Sequence, residues 1–189
     1  MNVKDIARLV AVGLIETGVE GGFDNVCKST AIDSICIGVS SWEGGRAQTL
    51  LRQIPGTEEY QDRPFSDFSD GEIDALAEIL ASDAGVAAQI DMLAQDCEEY
   101  VEEVQSAGVH DVRAVVYAAM WCPTSIICVC RCIEDAIDDE YNVDDVKELA
   151  EYFYDNYPRI ADCEEYACGY RNRSNIMCIY AETMEVQDE

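Results

Sequence analysis

A chain of 189 residues, 49% of them apolar, is long enough to bury one sizeable core, whereas two domains of this total length would each be small. Twelve Lys and Arg against 39 Asp and Glu leave a formal charge of -27, which repels phosphate backbones and anionic lipid surfaces, so neither direct nucleic-acid binding nor a membrane partner is expected. No uninterrupted apolar run is long enough to span a bilayer.

Val3, Ile6, Val10 and Leu14, with Leu9 and Gly13 beside them, form an apolar helical stripe that starts after Asn2 as N-cap. Gly18, Gly21 and Gly22 stop this helix and leave Glu20 just beyond its C-terminal end. From Phe23 to Trp42 the pattern is short and irregular, and SICIGV, residues 34–39, is the one convincing strand. Helices are predicted over about 43–54, ended by Pro55 and Gly56, and over about 70–81, where Ser69 and Glu72 make a capping box. A longer helix is predicted over about 83–106, then others over about 111–121 with Asp111 as N-cap and about 123–139 with Pro123 at its first position. The last two are placed at about 143–157, capped by Asn142, and about 160–184, and the acidic tail from about 182 to 189 is expected to fray. The predicted architecture is one mainly helical domain over residues 1–189 with a small β-region after the first helix.

The charge is unevenly spread. Residues 1–56 carry 5 basic and 6 acidic side chains, net -1, and residues 57–189 carry 7 and 33, net -26. The acidic residues alternate with apolar ones, which describes a solvated helical surface; the sharper reading is a surface that binds a basic partner or imitates a polyanion.

Ten cysteines invite a disulfide framework, but the apolar run LVAVGLI follows Asp5 and Arg8, ends in Glu16 and has no small-residue cleavage site, so a Sec signal is not predicted. Synthesis in the cytosol with reduced thiols is the expectation. No C-x-x-C occurs, Cys128, Cys130 and Cys132 point in different directions on a helix, and His110 is the only histidine. Neither a metal site nor a Ser-His or Cys-His nucleophile is predicted, and the default for these cysteines is small, inert packing.

Glycosidic hydrolysis needs a carboxylic acid kept protonated by partial burial and a second carboxylate across the sugar. Glu20 suits the first role because it follows an apolar helix among glycines, which admit close approach of a substrate. Glu16, one turn earlier, is a rival. For the second role the candidates are Asp33, Asp24 and Glu43, with Asp33 preferred, and Trp42 is a candidate sugar-stacking side chain.

The stretch VEGGFDNV followed by SICIGVSSWEGGRAQTLL resembles the N-terminal motif of lysozyme-like peptidoglycan hydrolases, the endolysins of phages and prophages of Gram-positive bacteria. The matching positions are Glu20, Gly21, Phe23, Val26, Gly38, Trp42, Gly44, Arg46, Ala47 and Leu50. GVHDVRAVVYAAMWC and YRNRSNIMCIY are similar to later helices of that family. Three positions depart from the family pattern: Ser41 replaces a Gln before Trp42, Glu43 a His after it, and Cys36 a strand Ser, while STAID stands where the family has an Asn-Asp-Asn-Gly loop.

The resemblance implies a lysozyme-like α+β fold, with Glu20 as general acid at the end of the first helix and Asp33 or a neighbour opposite. It also implies that Ser41, Trp42, Glu43 and Tyr117 line the sugar subsites, that no cofactor is required, and that a holin-type release carries the protein to peptidoglycan glycan strands. Two alternatives stay open: an inactive acidic protein on the same scaffold, with a basic protein partner, and a hydrolase for a cationic amino-sugar polymer such as chitosan.

Overall fold

The structure, a computed structural model, describes residues 1–29, 32–161 and 164–186. It is mainly helical with one small antiparallel sheet. Where the sequence predicts one domain, the chain packs as two compact units: residues 1–19 with 94–189, and residues 20–93.

The first unit contains α1 (Val3–Glu16), α5 (Val112–Ala119), α6 (Ile126–Asp138), α7 (Val146–Asn156), α8 (Pro158–Ala161) and α9 (Glu164–Thr183), with the later part of α4 (Asp83–Ser106). Helix α5 is buried without interruption from Ala114 to Ala119, and a helix apolar all round must be surrounded. It packs against α1, α7 and α9. The Asp111 carboxylate caps α5, accepting from the Arg113 and Ala114 amides at 2.9 and 3.2 Å.

On α1, Ile6, Ala7, Val10, Ala11 and Leu14 are buried, as the predicted stripe requires, and the Asn2 side-chain Oδ1 caps the helix by accepting from the Asp5 amide. Gly13 is where α1 and α9 come closest, because a methyl group there would sit 2.5 Å from Tyr180 Cε1. The Tyr180 hydroxyl donates to the Leu9 carbonyl at 3.0 Å, and Arg113 donates to the Ala181 and Glu182 carbonyls at the end of α9, where a cation is favoured. An aromatic cluster fills the centre: Trp121 lies 4.4 Å from Tyr157 and 5.9 Å from Phe153, ring to ring.

Two predicted helix starts move. Helix α6 opens at Ile126 and not at Pro123, because residues 121–124 turn and the Ser125 hydroxyl caps the helix by accepting from the Cys128 amide at 3.3 Å. Asp145, not Asn142, caps α7 by accepting from Lys147 and Glu148, a carboxylate three residues nearer the amides it serves. The predicted 160–184 helix is found as α8 and α9; residues 162 and 163 between them, and 187–189 of the predicted frayed tail, lie outside the described residues.

In the second unit, β1 (Val26–Lys28), β2 (Ile35–Ile37) and β3 (Trp42–Glu43) form an antiparallel sheet in the order β1-β2-β3. The register pairs Cys27 with Cys36 and Ile37 with both Val26 and Trp42. Side chains alternate across a strand, so Ile35, Ile37 and Trp42 are buried on one face while Cys27, Cys36 and Glu43 form a row on the other. Helix α2 (Gly44–Leu51) packs on β2 and β3 through Ala47, Leu50 and Leu51, and α3 (Asp70–Leu80) approaches β1.

The predicted capping box is present at the start of α3, and Arg63 joins it through a 2.9 Å ion pair with Glu72. The Arg63 hydrogen bond, with those from Ser69, holds the Glu72 carboxyl down from 4.5 to about 2. A carboxylate depressed in the folded state stabilises above its unfolded value and loses that contribution as pH falls from about 4.5 towards about 2. Glu72→Gln is therefore expected to flatten the fall of urea midpoint across that acid range, read by circular dichroism against wild type. No helix of the described residues is long and apolar enough to cross a membrane.

Candidate functional site

Helix α1 ends at Thr17, whose amide donates to the Gly13 carbonyl, and Gly18, whose amide donates to the Ile15 carbonyl, takes φ +63° to turn the chain out of the helix. Glu20 follows, half-buried. The next residue anchors it: the Gly21 N–H donates to the Val39 carbonyl at 2.7 Å. A side chain at Gly21 would meet that same oxygen at 3.2 Å and Ser41 Oγ at 3.9 Å, so glycine is what permits the approach.

The partner surface is the turn 38–41 between β2 and β3. Gly38 has φ +74° and Ser41 φ +50°, and the Ser41 amide closes the turn on the Gly38 carbonyl at 3.0 Å. Three side chains clamp it. Asn25 Nδ2 donates to Ser41 Oγ at 3.2 Å, Cys36 Sγ donates to the Ser41 carbonyl at 3.0 Å, and Gln89 Oε1 accepts from the Val39 amide at 2.9 Å.

Gln89 is the organiser that sequence reasoning misses. Wholly buried on α4, it also donates through Nε2 to the Phe23 and Leu80 carbonyls at 3.1 and 3.0 Å. One side chain thus ties together the segment after Glu20, the turn and the end of α3. The signal was legible in part: Gln89 lies one turn before Leu93 on the same helix face, an apolar face that a glutamine enters only to serve buried backbone groups. Gln89→Leu leaves the Val39 amide without its acceptor, and a cost of about 1–3 kcal/mol is expected from urea unfolding. Gly38→Ala should be similarly harmful, because its methyl would lie 2.5 Å from Gln89 Oε1 in a left-handed conformation.

Of the predicted site residues, the structure gathers Glu20, Ser41 and Glu43 around this corner, by way of Gly21 and the strand β3. Asp24 joins them, with Oδ1 lying over the Gly22 backbone, 2.6 Å from where a Cβ would stand. Trp42 is at the corner but only 7% exposed; its ring faces the core, with Cε3 against Gly38, so it supports the turn and offers no face to a sugar.

Asp33 is elsewhere. It sits at the closed end of the β1–β2 hairpin, where it accepts from the Ser66 amide and hydroxyl at 3.1 and 2.8 Å and lies 4.0 Å from Lys28 Nζ. From Ser34 to Gly38 the strand covers about 13 Å, so Asp33 and the Glu20 corner occupy opposite ends of the hairpin. Its role there is to tie the hairpin to the 65–68 segment. Thr30 and Ala31 of the STAID stretch lie outside the described residues.

Tyr117 is corrected outright as a subsite residue. It is fully buried inside the first unit, its hydroxyl bonded to Ser174 at 2.8 Å and its ring edge-on to Phe153 at 5.7 Å. Burial pushes its phenol well above the usual range. Buried without interruption from Ala114 to Ala119, this part of α5 has no solvent face from which Tyr117 could reach a substrate. Glu16, the rival acid, is exposed on the last turn of α1.

The first unit contains a cavity of about 430 Å³ whose wall includes Thr17, Gly18, Tyr170 and Arg173. The Arg173 guanidinium there donates to the Val19 and Met120 carbonyls at 3.1 and 3.3 Å, which makes it a brace between helix ends. Among the described residues, no group of three or more His, Cys, Asp or Glu side chains is arranged to hold a metal ion. Comparison with protein-family models, with curated proteins and with solved structures finds no match to this chain.

Proposed function

We propose that residues 20–93 carry a glycan-cleaving site with Glu20 as its general acid, and that the protein acts on the glycan strand of peptidoglycan as a muramidase-like endolysin. The observation that carries this reading is the Gly21 bond to Val39, which fixes a half-buried glutamate beside the turn that leads into Ser41, Trp42 and Glu43. The lysozyme-like sequence motif supports it, since that bond ties its Glu-Gly pair to the turn that runs into its Trp-x-Gly corner.

In the proposed reaction Glu20 protonates the leaving glycosidic oxygen. A second carboxylate then stabilises the oxocarbenium-like carbon or activates water on the other face. With Asp33 held at the far end of the hairpin, Asp24 or Glu43 takes that role, and separate variants decide between them. One of Asp24→Asn and Glu43→Gln is expected to lose at least about 100-fold in release of reducing ends, while Asp33→Asn stays within a few-fold of wild type. Equal activity in all three variants would remove the two-carboxylate reading.

The non-enzymatic alternative, an acidic protein that holds a basic partner, is favoured by one observation. The end of α6 and the loop into α7 expose Glu134, Asp135, Asp138, Asp139, Glu140 and Asp145 within a short stretch. Salt separates the two readings. Repulsion between this surface and an anionic wall is screened beyond about 8 Å at physiological salt, so the enzyme should improve as salt rises, whereas a basic partner should be released. Chitosan in the substrate panel tests the cationic-polymer alternative.

A further inference from the structure

The row of side chains on the open face of the sheet contains two thiols to which the proposed hydrolysis gives no chemical role. Cys27 on β1 is exposed, Cys36 on β2 is half-buried, and both are free. They stand directly opposite each other in the register.

The Ser29 amide donates to the Ser34 carbonyl at 3.0 Å and the Gly38 amide to the Asn25 carbonyl at 2.9 Å. Hydrogen-bonded pairs alternate along an antiparallel ladder, so Cys27 and Cys36, midway between these two, form such a pair with Cα atoms about 5.5 Å apart. That spacing falls within the range a disulfide spans, about 4.4–6.8 Å. Burial, together with the Cys27 thiol opposite it, pushes the Cys36 thiol up to about 11.

We propose that Cys27 and Cys36 are a thiol–disulfide pair that a small-molecule disulfide, of the glutathione disulfide class, oxidises to a cross-strand bond. The inference is independent of the glycosidase reading. Cys27, the more exposed thiol, loses its proton to solvent and its thiolate attacks one sulfur of the oxidant. The oxidant's S–S bond breaks and one glutathione thiolate leaves. Cys36 then loses its proton, attacks the Cys27 sulfur of the mixed disulfide and displaces the second glutathione. The two cysteines are oxidised by two electrons, and one glutathione disulfide is reduced to two glutathiones.

Oxidation reaches the candidate site through a single bond. Cys36 Sγ–H is the donor to the Ser41 carbonyl, and a disulfide sulfur has no hydrogen to give. The clamp on the 38–41 turn is then reduced from three side chains to Asn25 and Gln89.

Tryptic cleavage after Arg8, Lys28 and Arg46 puts the two thiols on separate peptides, residues 9–28 and 29–46, each with one cysteine. The full-length protein is incubated with excess glutathione disulfide, quenched in acid, alkylated, digested and analysed by mass spectrometry. The expected result is loss of alkylation at both positions, with the linked 9–28/29–46 species accounting for most of Cys27 and dithiothreitol restoring both thiols. In Cys36→Ser, Cys27 should retain a glutathione adduct. Exposed Cys168 reports that the oxidant has reacted. A stable glutathione adduct on Cys27 of the wild type beside an alkylated Cys36 would overturn the proposal. So would two alkylated thiols when Cys168 is already modified.

Discussion

Glu20→Gln is expected to lower the release of new reducing ends from purified Gram-positive peptidoglycan by about 10²–10⁴-fold, the usual contribution of a general acid. Glutamine keeps the shape and hydrogen-bonding reach of the side chain but has no proton of suitable acidity to give the leaving oxygen. The loss should fall on kcat at low and at moderate salt alike. Circular dichroism should be unchanged, because the bond from the Gly21 backbone N–H to the Val39 carbonyl, which anchors this segment, is untouched by the substitution. A wild-type protein that releases no reducing ends from peptidoglycan or from chitosan would remove the hydrolase reading for both polymers, and the acidic surface at the end of α6 would become the leading site.

The largest stability effect is expected at Trp121. The side chain is fully buried and its ring lies 4.4 Å from Tyr157, 5.9 Å from Phe153 and 6.2 Å from Tyr170. Three partners from α7, α9 and the loop before α8 converge on one indole, so truncation leaves a void that rigid rings cannot fill. Trp121→Ala should cost about 3–5 kcal/mol in urea unfolding. Trp121→Phe, which refills much of the volume, should cost less than half of that. The chain has two tryptophans, Trp42 in residues 20–93 and Trp121 in the other unit, so the fluorescence of Trp121→Phe follows the sheet unit alone and that of Trp42→Phe the helical unit alone.

Local signals carried the helices. The capping box at Ser69 and Glu72, the Asn2 and Asp111 caps and the apolar stripe of α1 involve residues within four positions of one another, and each stands where the sequence predicts it. At α6 and α7 several residues were eligible to start the helix, and geometry selected the Ser125 cap over a start at Pro123 and the Asp145 cap over Asn142. Only β2 was legible among the strands. β1 and β3 are three and two residues long, too short to show an alternation, and exist through their pairing with β2.

The site was legible as a pair of segments, Glu20–Gly21 and Ser41–Glu43, but not in its supports. Gln89 reaches the Val39 amide across 50 positions in sequence, and Ser66 reaches Asp33 across 33, which no local pattern encodes. Trp42 and Tyr117 illustrate the opposite error. An aromatic residue near a candidate cleft reads as a sugar platform until burial shows that its ring is spent on the core.

The helical unit is assembled from residues 1–19 and 94–189, with the sheet-bearing stretch lying between them in sequence. Translation therefore delivers α1 well before α9. The Tyr180 hydroxyl that meets the Leu9 carbonyl emerges 171 residues later, which at about 5–20 residues per second is a delay of roughly ten to thirty seconds. Met120, the other side chain that lies against Gly13, is synthesised before Tyr180, so α1 meets α5 first and the Leu9 carbonyl gains its Tyr180 partner only when α9 follows.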